Sequence, residues 1–226
     1  MALAPIALEV IAALRDLYGP QPWRLRNEPI TELIETILSQ NTSDLNSHRA
    51  FGSLWERFGS WRAIQEAPVD EVAAAIHVGG LSRVKAPRIQ AVLEELQRRT
   101  GGWDLSFLRD LPLPEAKAWL RGLPGVGPKT AACVLLFAVG LPALPVDTHV
   151  YRVARRLGLI EQRLSPDEAH DALERLVAPE QVYEFHMLLI QHGRRLCKAP
   201  RPLCHACPLN DICPSSLVRE LPQRTE

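Results

Sequence analysis

The chain has no excess charge of either sign, because its 226 residues contain 26 basic and 26 acidic side chains. Net charge therefore gives no indication of a polyanionic partner. The basic residues are nevertheless clustered, so a polyanion would bind through one face, although solvated helix surfaces explain any single cluster equally well. The clusters are Arg83, Lys85 and Arg88; Arg152, Arg155 and Arg156; and Arg194, Arg195, Lys198 and Arg201.

Long hydrophobic runs are also missing. The longest apolar run, from Ala131 to Val146, is interrupted by glycine and proline and is shorter than the roughly 20 residues that a membrane-spanning helix needs. The N-terminal segment has no basic leader and carries Glu9 inside its apolar stretch, which indicates an amphipathic helix and not a signal peptide. We expect no membrane partner and a cytoplasmic location, associated with the nucleoid if the source is bacterial.

Strand-like alternation of polar and apolar residues is almost absent, whereas apolar residues recur throughout at the three- and four-residue spacing of helices. Hydrophobic residues make up 46% of the chain, enough to bury a core. The pattern predicts an all-α fold of ten or so short helices joined by tight turns. Most of the helical segments stop at a glycine, which suits the left-handed position after a helix. These glycines are Gly59, Gly79, Gly101, Gly122, Gly140 and Gly158.

The stretch GLPGVGPKT, residues 122–130, is close to the nucleotide-binding pattern G-x-x-x-x-G-K-S/T but does not match it. Pro128 separates Gly127 from Lys129, so the lysine comes one residue late for a phosphate-cradling loop. The stretch therefore indicates a glycine turn followed by a lysine whose function is not to bind a nucleotide in such a loop.

This stretch predicts a helix-hairpin-helix. A helix over 114–120 would end at the glycines, and a second, buried helix would begin at Pro128. Gly125 and Gly127 have no side chains in the way, so their backbone N–H groups could approach a phosphate, and Val126 between them is counted with the DNA-binding residues. Such a contact does not read base sequence, which suits a protein that searches DNA. A plain turn between two helices is the alternative.

Two residues next to the hairpin are candidates for catalysis. Lys129 would lie in the first turn of the buried helix, where the helix dipole and burial disfavour the ammonium form and leave an amine nucleophile; an outward cation paired with a phosphate is the alternative. Asp147 precedes a helix and could simply cap it. A carboxylate near an amine nucleophile could also deprotonate it and stabilise positive charge on a sugar. His149 and Arg152 are expected to be structural or phosphate contacts.

Cysteine is scarce, with five residues, yet four of them form one C-terminal group with the spacing C-x6-C-x2-C-x5-C. A cytosolic protein does not keep disulfides there, so the group predicts a metal site. Zinc is the commoner occupant of four cysteines, but the spacing is that of neither the usual zinc fingers nor the ferredoxins, so the metal stays open. Lys198 and Arg201, between the first two ligands, would face a DNA backbone, and Cys133 is expected to be a buried core thiol. The ligands are Cys197, Cys204, Cys207 and Cys213.

Taken together, LPGVGPKTA, the run VDTHVYR about twenty residues later and the cysteine-rich tail resemble the endonuclease III family of helix-hairpin-helix (HhH-GPD) DNA glycosylases. The resemblance implies a six-helix domain over 25–138 that contains the hairpin, and a second helical domain made of 1–24 and 139–226. It also implies that the four clustered cysteines hold a [4Fe-4S] cluster. The implied partner is double-stranded DNA with damaged bases or abasic sites, bound by a monomer.

The same resemblance implies a bifunctional DNA glycosylase and AP lyase of base excision repair. Lys129 would attack the sugar of a flipped nucleotide, with Asp147 as its acidic partner. The enzyme would remove oxidised pyrimidines such as thymine glycol and cut the strand by β-elimination through a lysine Schiff base. A mismatch or alkylated-base glycosylase of the same fold, and a damage-binding paralogue with weak turnover, remain alternatives.

Family members commonly show L-S-A-Q-x-T-D, whose glutamine fills the gap left by the flipped nucleotide. This chain has LSQNTSD at 38–44, so Asn41 occupies the glutamine position and Gln40 stands one residue early. A polar turn that caps the next helix is the alternative reading. Gly80 and Leu81 resemble the segment that supplies a second, apolar wedge. We call Asn41 and Leu81 the wedge residues.

Overall fold

The structure is a computed structural model that describes residues 5–218. The regular elements within this range are helical, which confirms the all-α prediction. None of the helices in the range is long and apolar enough to cross a membrane. The α-helices are α1 Pro5–Tyr18, α2 Pro29–Ser39, α3 Asp44–Phe58, α4 Trp61–Glu66, α5 Val69–Ala75, α6 Ser82–Thr100, α7 Leu113–Arg121, α8 Pro128–Val134, α9 Thr148–Arg156, α10 Pro166–Glu174 and α11 Val182–Arg195.

Short helical turns connect several of these helices. A π-helical turn, Leu135–Val139, continues α8 directly, and 3-10 turns cover His77–Gly79, Ser106–Asp110, Pro179–Gln181 and Cys204–Ala206. The π turn was not predicted from the sequence, because the apolar spacing of α8 does not distinguish one helical hydrogen-bonding pattern from another.

The chain divides into two compact units. The first, residues 25–141, contains α2 to α8 and is called the hairpin unit here. The second, the cysteine unit, is formed by the described residues up to Arg24 and from Pro142 onward, and contains α1 and α9 to α11. The family resemblance implies this boundary after residue 138. Residues 1–4 and 219–226 of the predicted second domain lie outside the described residues.

Local side-chain caps explain where several helices begin. The hydroxyl of Ser43 accepts a hydrogen bond from the N–H of Asn46 at the start of α3. Ser165 and Glu168 form a reciprocal capping box at the start of α10. Such caps satisfy N–H groups that have no partner inside the helix and contribute about 1 kcal/mol each.

Glycine explains where α3 and α6 end. Gly59 and Gly101 adopt the left-handed conformation, with φ of 66° and 75°, and stop these helices as predicted. Gly122 stays right-handed, with φ of −74°, and its N–H donates to the carbonyls of Ala118 and Trp119. The hairpin therefore leaves α7 through a tightened right-handed turn.

Each unit has its own apolar core. In the hairpin unit α2 packs against α8, and Leu33, Ile34 and Ile37 are fully buried. In the cysteine unit α11 packs against both α1 and α9, where Leu14 and Leu189 are fully buried. Each such side chain contributes about 1.5–3 kcal/mol on burial. These cores hold the hairpin and the cysteine segment in place.

Candidate functional site

The hairpin joins α7 to α8 through Leu123 to Gly127. The N–H of Val126 donates to the carbonyl of Leu123 at 3.2 Å, which closes the turn. Gly127 is the residue before α8, with extended backbone and no side-chain cap, and a Cβ at this position would meet nothing within 4 Å. The backbone at Gly127, just before α8, therefore borders open space, as an anion contact requires.

Gly125 lies against the side chain of Arg88. Its φ is +69°, and a Cβ there would come within 2.6 Å of the Arg88 Nε and 2.7 Å of its Cδ. The guanidinium of Arg88 donates to Oε1 of Gln40 at 2.8 Å. Arg88 thus connects the hairpin to the end of α2, and this is the reason that glycine is needed at 125.

Gln40 and Asn41 have different environments. Besides its bond from Arg88, the Gln40 side-chain amide donates to the hydroxyl of Thr130 at 3.4 Å, so both ends of that side chain have partners in the protein. Asn41 is exposed and has a φ of +55°. These contacts favour Asn41 over Gln40 as the residue that reaches outward.

The wedge residues share an uncommon backbone conformation. Within residues 5–218, Asn41 and Leu81 are the non-glycine residues with positive φ, and the φ of Leu81 is +50°. The left-handed conformation costs a leucine roughly 1–2 kcal/mol of stability. Leu81 is also 52% exposed. Strained positions of this kind concentrate at functional sites.

The structure shows that one prediction for Lys85 is wrong. The sequence analysis grouped this lysine with Arg83 and Arg88 as a basic cluster that could bind a polyanion. Lys85 is 2% exposed, and its ammonium donates to the carbonyls of Leu38 at 2.6 Å and Gly79 at 2.8 Å. Burial lowers its pKa from the ordinary value. Lys85 therefore faces the interior and does not belong to a polyanion-binding surface.

The sequence does contain a signal for the burial of Lys85. It stands four, seven and eleven residues before Ile89, Val92 and Leu96, which are fully buried on one face of α6. A lysine on the apolar stripe of a helix is a candidate for a buried role, although its partners cannot be read from periodicity.

The two catalytic candidates lie in different units. Lys129 is half-buried in the first turn of α8, in the hairpin unit. Asp147, in the cysteine unit, caps α9 as predicted, because its Oδ1 accepts the N–H of Val150 at 2.7 Å. The capping hydrogen bond involves Oδ1 and not Oδ2 of Asp147. The carboxylate can therefore cap α9 and have a second role through Oδ2.

The four clustered cysteines line one cavity, together with Arg156 and His192. Burial raises the pKa of the Cys207 and Cys213 thiols, and the neighbouring thiols contribute in the same direction. Within residues 5–218, however, no three cysteine, histidine or carboxylate side chains converge on one metal-ion position. Four thiols around one cavity are the donor set through which proteins bind zinc or an iron-sulfur cluster.

Arg152 and Arg156 stabilise the loop after Cys197. The Arg156 guanidinium donates to the carbonyls of Lys198 at 2.7 Å and Ala199 at 3.0 Å, and Arg152 donates to the carbonyl of Cys197 at 3.0 Å. The third member of this basic cluster, Arg155, donates to Oε1 of Gln162 at 3.0 Å, so all three arginines have partners within the protein. The loop that Arg152 and Arg156 hold carries the exposed side chain of Lys198, with that of Arg201 also exposed.

Comparison with known proteins relates both units to DNA repair. Residues 34–179 match the family model of the HhH-GPD superfamily base excision DNA repair proteins. Endonuclease III of Thermotoga maritima is 35% identical over 186 residues, which cover 82% of this chain and 83% of that protein. An Arabidopsis thaliana protein named "Putative DNA glycosylase" is 36% identical over 82% of this chain, which spans only 61% of the plant protein.

A solved structure extends the likeness to nearly the full chain. An endonuclease III trapped as a covalent intermediate with DNA superposes with a TM-score of 0.82 and 29% sequence identity. The superposition covers 97% of this chain and 99% of the endonuclease III chain.

Proposed function

Because the chain belongs to the endonuclease III family of the HhH-GPD base excision DNA repair glycosylases, we propose that it is a bifunctional enzyme that removes oxidised pyrimidines and then cleaves the DNA strand at the abasic site. The observation that carries the proposal is the position of Lys129, the second residue of α8, which begins directly after the hairpin at Gly127. The similar endonuclease III that was trapped covalently on DNA supports a nucleophilic mechanism.

Lys129 is proposed as the nucleophile. Its neutral amine attacks the sugar C1′ atom of the flipped nucleotide, and the glycosidic bond breaks as the base leaves with a proton. Opening of the sugar ring gives a protonated Schiff base between Lys129 and C1′. Loss of a proton from C2′ then expels the 3′ phosphate, and water releases the lysine for the next cycle.

Asp147 is proposed as the acidic partner. Its carboxylate takes a proton from the attacking amine and stabilises the positive charge that develops on the sugar. The capping bond to Val150 holds the carboxylate in one orientation, which preorganises it for this role.

DNA is proposed to be held at three places. The N–H groups of Gly125 and Gly127, on either side of Val126, bind a backbone phosphate. Asn41 and Leu81 fill the space left by the flipped nucleotide, and Lys198 and Arg201 contact the backbone. Gln40 is proposed to position Asn41, because both ends of its side chain are bonded to Arg88 and Thr130.

A [4Fe-4S] cluster is proposed as the group held by Cys197, Cys204, Cys207 and Cys213. When bound, it would supply a rigid cross-link for the loop that carries Lys198 and Arg201. Arg156 supports the same loop from the protein side through the carbonyls of Lys198 and Ala199.

The proposal is tested by strand cleavage of duplexes that carry thymine glycol, a plain abasic site or no lesion. We expect the protein to cut the first two and leave the third intact. Lys129→Gln abolishes both reactions, and Asp147→Asn lowers both by at least tenfold, consistent with a catalytic proton transfer worth about 100- to 10,000-fold. Lys117→Gln, on the half-exposed face of α7, serves as the matched control and keeps full activity.

Each failure has a separate meaning. Cleavage of the abasic site alone would retain the lyase and reject thymine glycol as its base substrate. Binding to the lesion without release of the base and without strand cleavage would reject the enzymatic proposal in favour of a damage-binding protein.

A further inference from the structure

A cavity of about 290 Å³ opens along α9 in the cysteine unit, and we call it the arginine cavity. It adjoins the cavity of the clustered cysteines, because Arg156 and Ser215 line both. Its volume is far above the roughly 10–15 Å³ that admits one water molecule, and Gln162 and Ser215 in its wall are exposed, so a hydrated anion can enter. The lining residues are Tyr151, Arg152, Arg155, Arg156, Gln162 and Ser215.

The wall of the arginine cavity carries an excess of positive charge. Half of its lining residues are arginines, and within residues 5–218 no aspartate or glutamate lines the cavity or forms an ion pair with them. Arg156 contacts the sulfur of Cys197 at 3.4 Å, so thiolates around a bound metal would offset part of its charge, while Arg152 and Arg155 keep theirs. The C-terminal end of α9 adds only about half a negative charge. A positive charge therefore remains that an anion can neutralise.

Arg155 supplies the open hydrogen-bond donors. Its Nε donates to Oε1 of Gln162 at 3.0 Å, and the Gln162 side-chain amide donates back to the carbonyl of Arg155 at 2.8 Å. The guanidinium carbon also lies 5.3 Å from the ring centroid of Tyr151. These contacts orient the guanidinium through its Nε edge, and both Nη atoms have no acceptor in the part of the chain that the structure describes. A pair of Nη groups is a fork that binds two oxygens of one phosphate.

Arg152 and Arg156 form the fixed part of the wall. Arg152 donates to the carbonyls of Gly193 at 2.9 Å and Cys197 at 3.0 Å. The two Nη atoms of Arg156 are bonded to the loop after Cys197, as described above, and its Nε is outside those bonds. Their partners on the main chain are neutral carbonyls, which order the side chains without removing their charge. Because these side chains are ordered before an anion arrives, binding costs little of their conformational entropy.

The position of the arginine cavity allows two sources of phosphate. Arg155 follows Asp147 by eight residues, which is about 12 Å along the axis of α9 at 1.5 Å per residue. This length equals the axial rise of roughly three to four base pairs at about 3.4 Å each, so a backbone phosphate a few nucleotides from a lesion is one source. A free phosphate that enters from solvent is the other.

We propose that the arginine cavity is a second phosphate-binding site, separate from the hairpin. The Nη fork of Arg155 binds two oxygens of the phosphate, and the hydroxyl of Ser215 supplies a further donor. The charges of Arg152 and Arg155 neutralise the anion. The site contacts the phosphate group alone and does not read base sequence. It is a binding function beyond the glycosylase function proposed above, and it does not depend on which base is excised.

The test compares Arg155→Gln with Arg175→Gln, which removes the same charge from an exposed residue at the end of α10. Binding of inorganic phosphate is followed by phosphorus NMR at constant ionic strength, and affinity for an undamaged duplex is measured by fluorescence anisotropy at several salt concentrations. If the ligand is a DNA phosphate, Arg155→Gln lowers the slope of log affinity against log salt by about one. If it is free phosphate, Arg155→Gln weakens phosphate binding about tenfold and leaves that slope unchanged. Arg175→Gln changes neither quantity.

A second variant keeps the test decisive if Arg155→Gln does not fold. Arg155→Lys retains the charge and loses the fork, so we expect an unchanged salt slope for DNA but weaker binding of inorganic phosphate. Equal behaviour of the Arg155 and Arg175 variants in both assays overturns the second phosphate site. Failure of wild type to cleave either damaged duplex rejects the proposed enzymatic function, whereas loss of phosphate binding in Arg155→Gln would still establish the site.

Discussion

The ammonium nitrogen of Lys85 lies 2.6 Å from the carbonyl oxygen of Leu38, near the end of α2. It also lies 2.8 Å from the carbonyl oxygen of Gly79. These carbonyls come three and two residues before the wedge residues Asn41 and Leu81. One buried lysine therefore fixes the distance between the two segments that are proposed to enter the DNA stack.

Replacement of Lys85 by methionine tests this connection. Lys85→Met keeps the side-chain volume but removes two charge-assisted hydrogen bonds and leaves two carbonyls without their donor. This lowers the free energy of unfolding by about 2–3 kcal/mol. The loss is partly offset because the variant no longer buries an ammonium group. We expect a lower urea midpoint and slower excision of thymine glycol, with a smaller effect on cleavage of a plain abasic site. Lys117→Met is the control. If Lys85→Met reduces the rates of lesion excision and of abasic-site cleavage by the same factor, Lys85 affects stability alone.

Leu81→Gly separates the wedge function from stability. Glycine relieves the cost of a left-handed leucine, about 1–2 kcal/mol, and loses about 0.5–1 kcal/mol in backbone entropy. We therefore expect an unchanged or slightly higher melting temperature together with at least tenfold slower lesion excision. Leu217→Gly, at an exposed leucine of the cysteine unit, should leave excision unchanged. A fully active Leu81→Gly would remove Leu81 from the proposed DNA contacts.

Gly125→Ala tests the hairpin. The added Cβ would meet Arg88 at 2.6 Å in a backbone conformation that disfavours alanine, and displacement of Arg88 also releases Gln40. We expect DNA affinity about tenfold weaker by fluorescence anisotropy, since each 1.4 kcal/mol is a factor of ten. Gly102→Ala is the matched control, because a Cβ there meets nothing within 4 Å. Equal affinities of the two variants would contradict a phosphate contact at the hairpin.

The buried carboxyl group of Glu32, in α2, makes the stability of the folded protein depend on pH. Burial raises its pKa above the ordinary value of 4.5, and nearby Glu35 adds to this, while the hydrogen bond from Asn27 and the charge of Arg26 oppose it. The folded protein therefore keeps the proton to higher pH than the unfolded chain does. The ionised carboxylate lowers stability above the folded-state pKa, and this cost disappears below the unfolded-state pKa.

Glu32→Gln removes this titration. We expect the variant to be more stable than wild type at pH 8 in urea unfolding, with a difference that shrinks as the pH falls toward 4. The exposed Glu56→Gln should show a difference that does not depend on pH in this way. A Glu32→Gln difference that grows toward acid pH would show that the folded state favours the ionised carboxylate.

Features set by neighbouring residues were predictable from the sequence. The start of α8 at Pro128, the cap by Asp147 and the left-handed Gly59 and Gly101 each depend on a few consecutive positions. They follow from the fixed φ of proline, the short side chain of aspartate and the missing Cβ of glycine. The all-α class follows from the same helical spacing along the chain.

Features that depend on distant partners were not predictable. Lys85 and Leu38 are 47 positions apart, and Arg88 and Gln40 are 48 apart. The apolar stripe of α6 indicates that Lys85 could be buried, but the two carbonyls that it binds cannot be identified from neighbouring residues. A cavity lined by Glu35, His48 and Cys133 likewise forms only because α2, α3 and α8 meet.

The central claim is that the amine of Lys129 bonds to DNA, and borohydride trapping tests it most directly. The protein is incubated with a duplex that carries thymine glycol, reduced with borohydride and digested, and the cross-linked peptide is identified by mass spectrometry. The account predicts a stable adduct on Lys129 that is absent from Lys129→Ala. An adduct of equal yield in Lys129→Ala, or none in wild type that still excises the base, would contradict it.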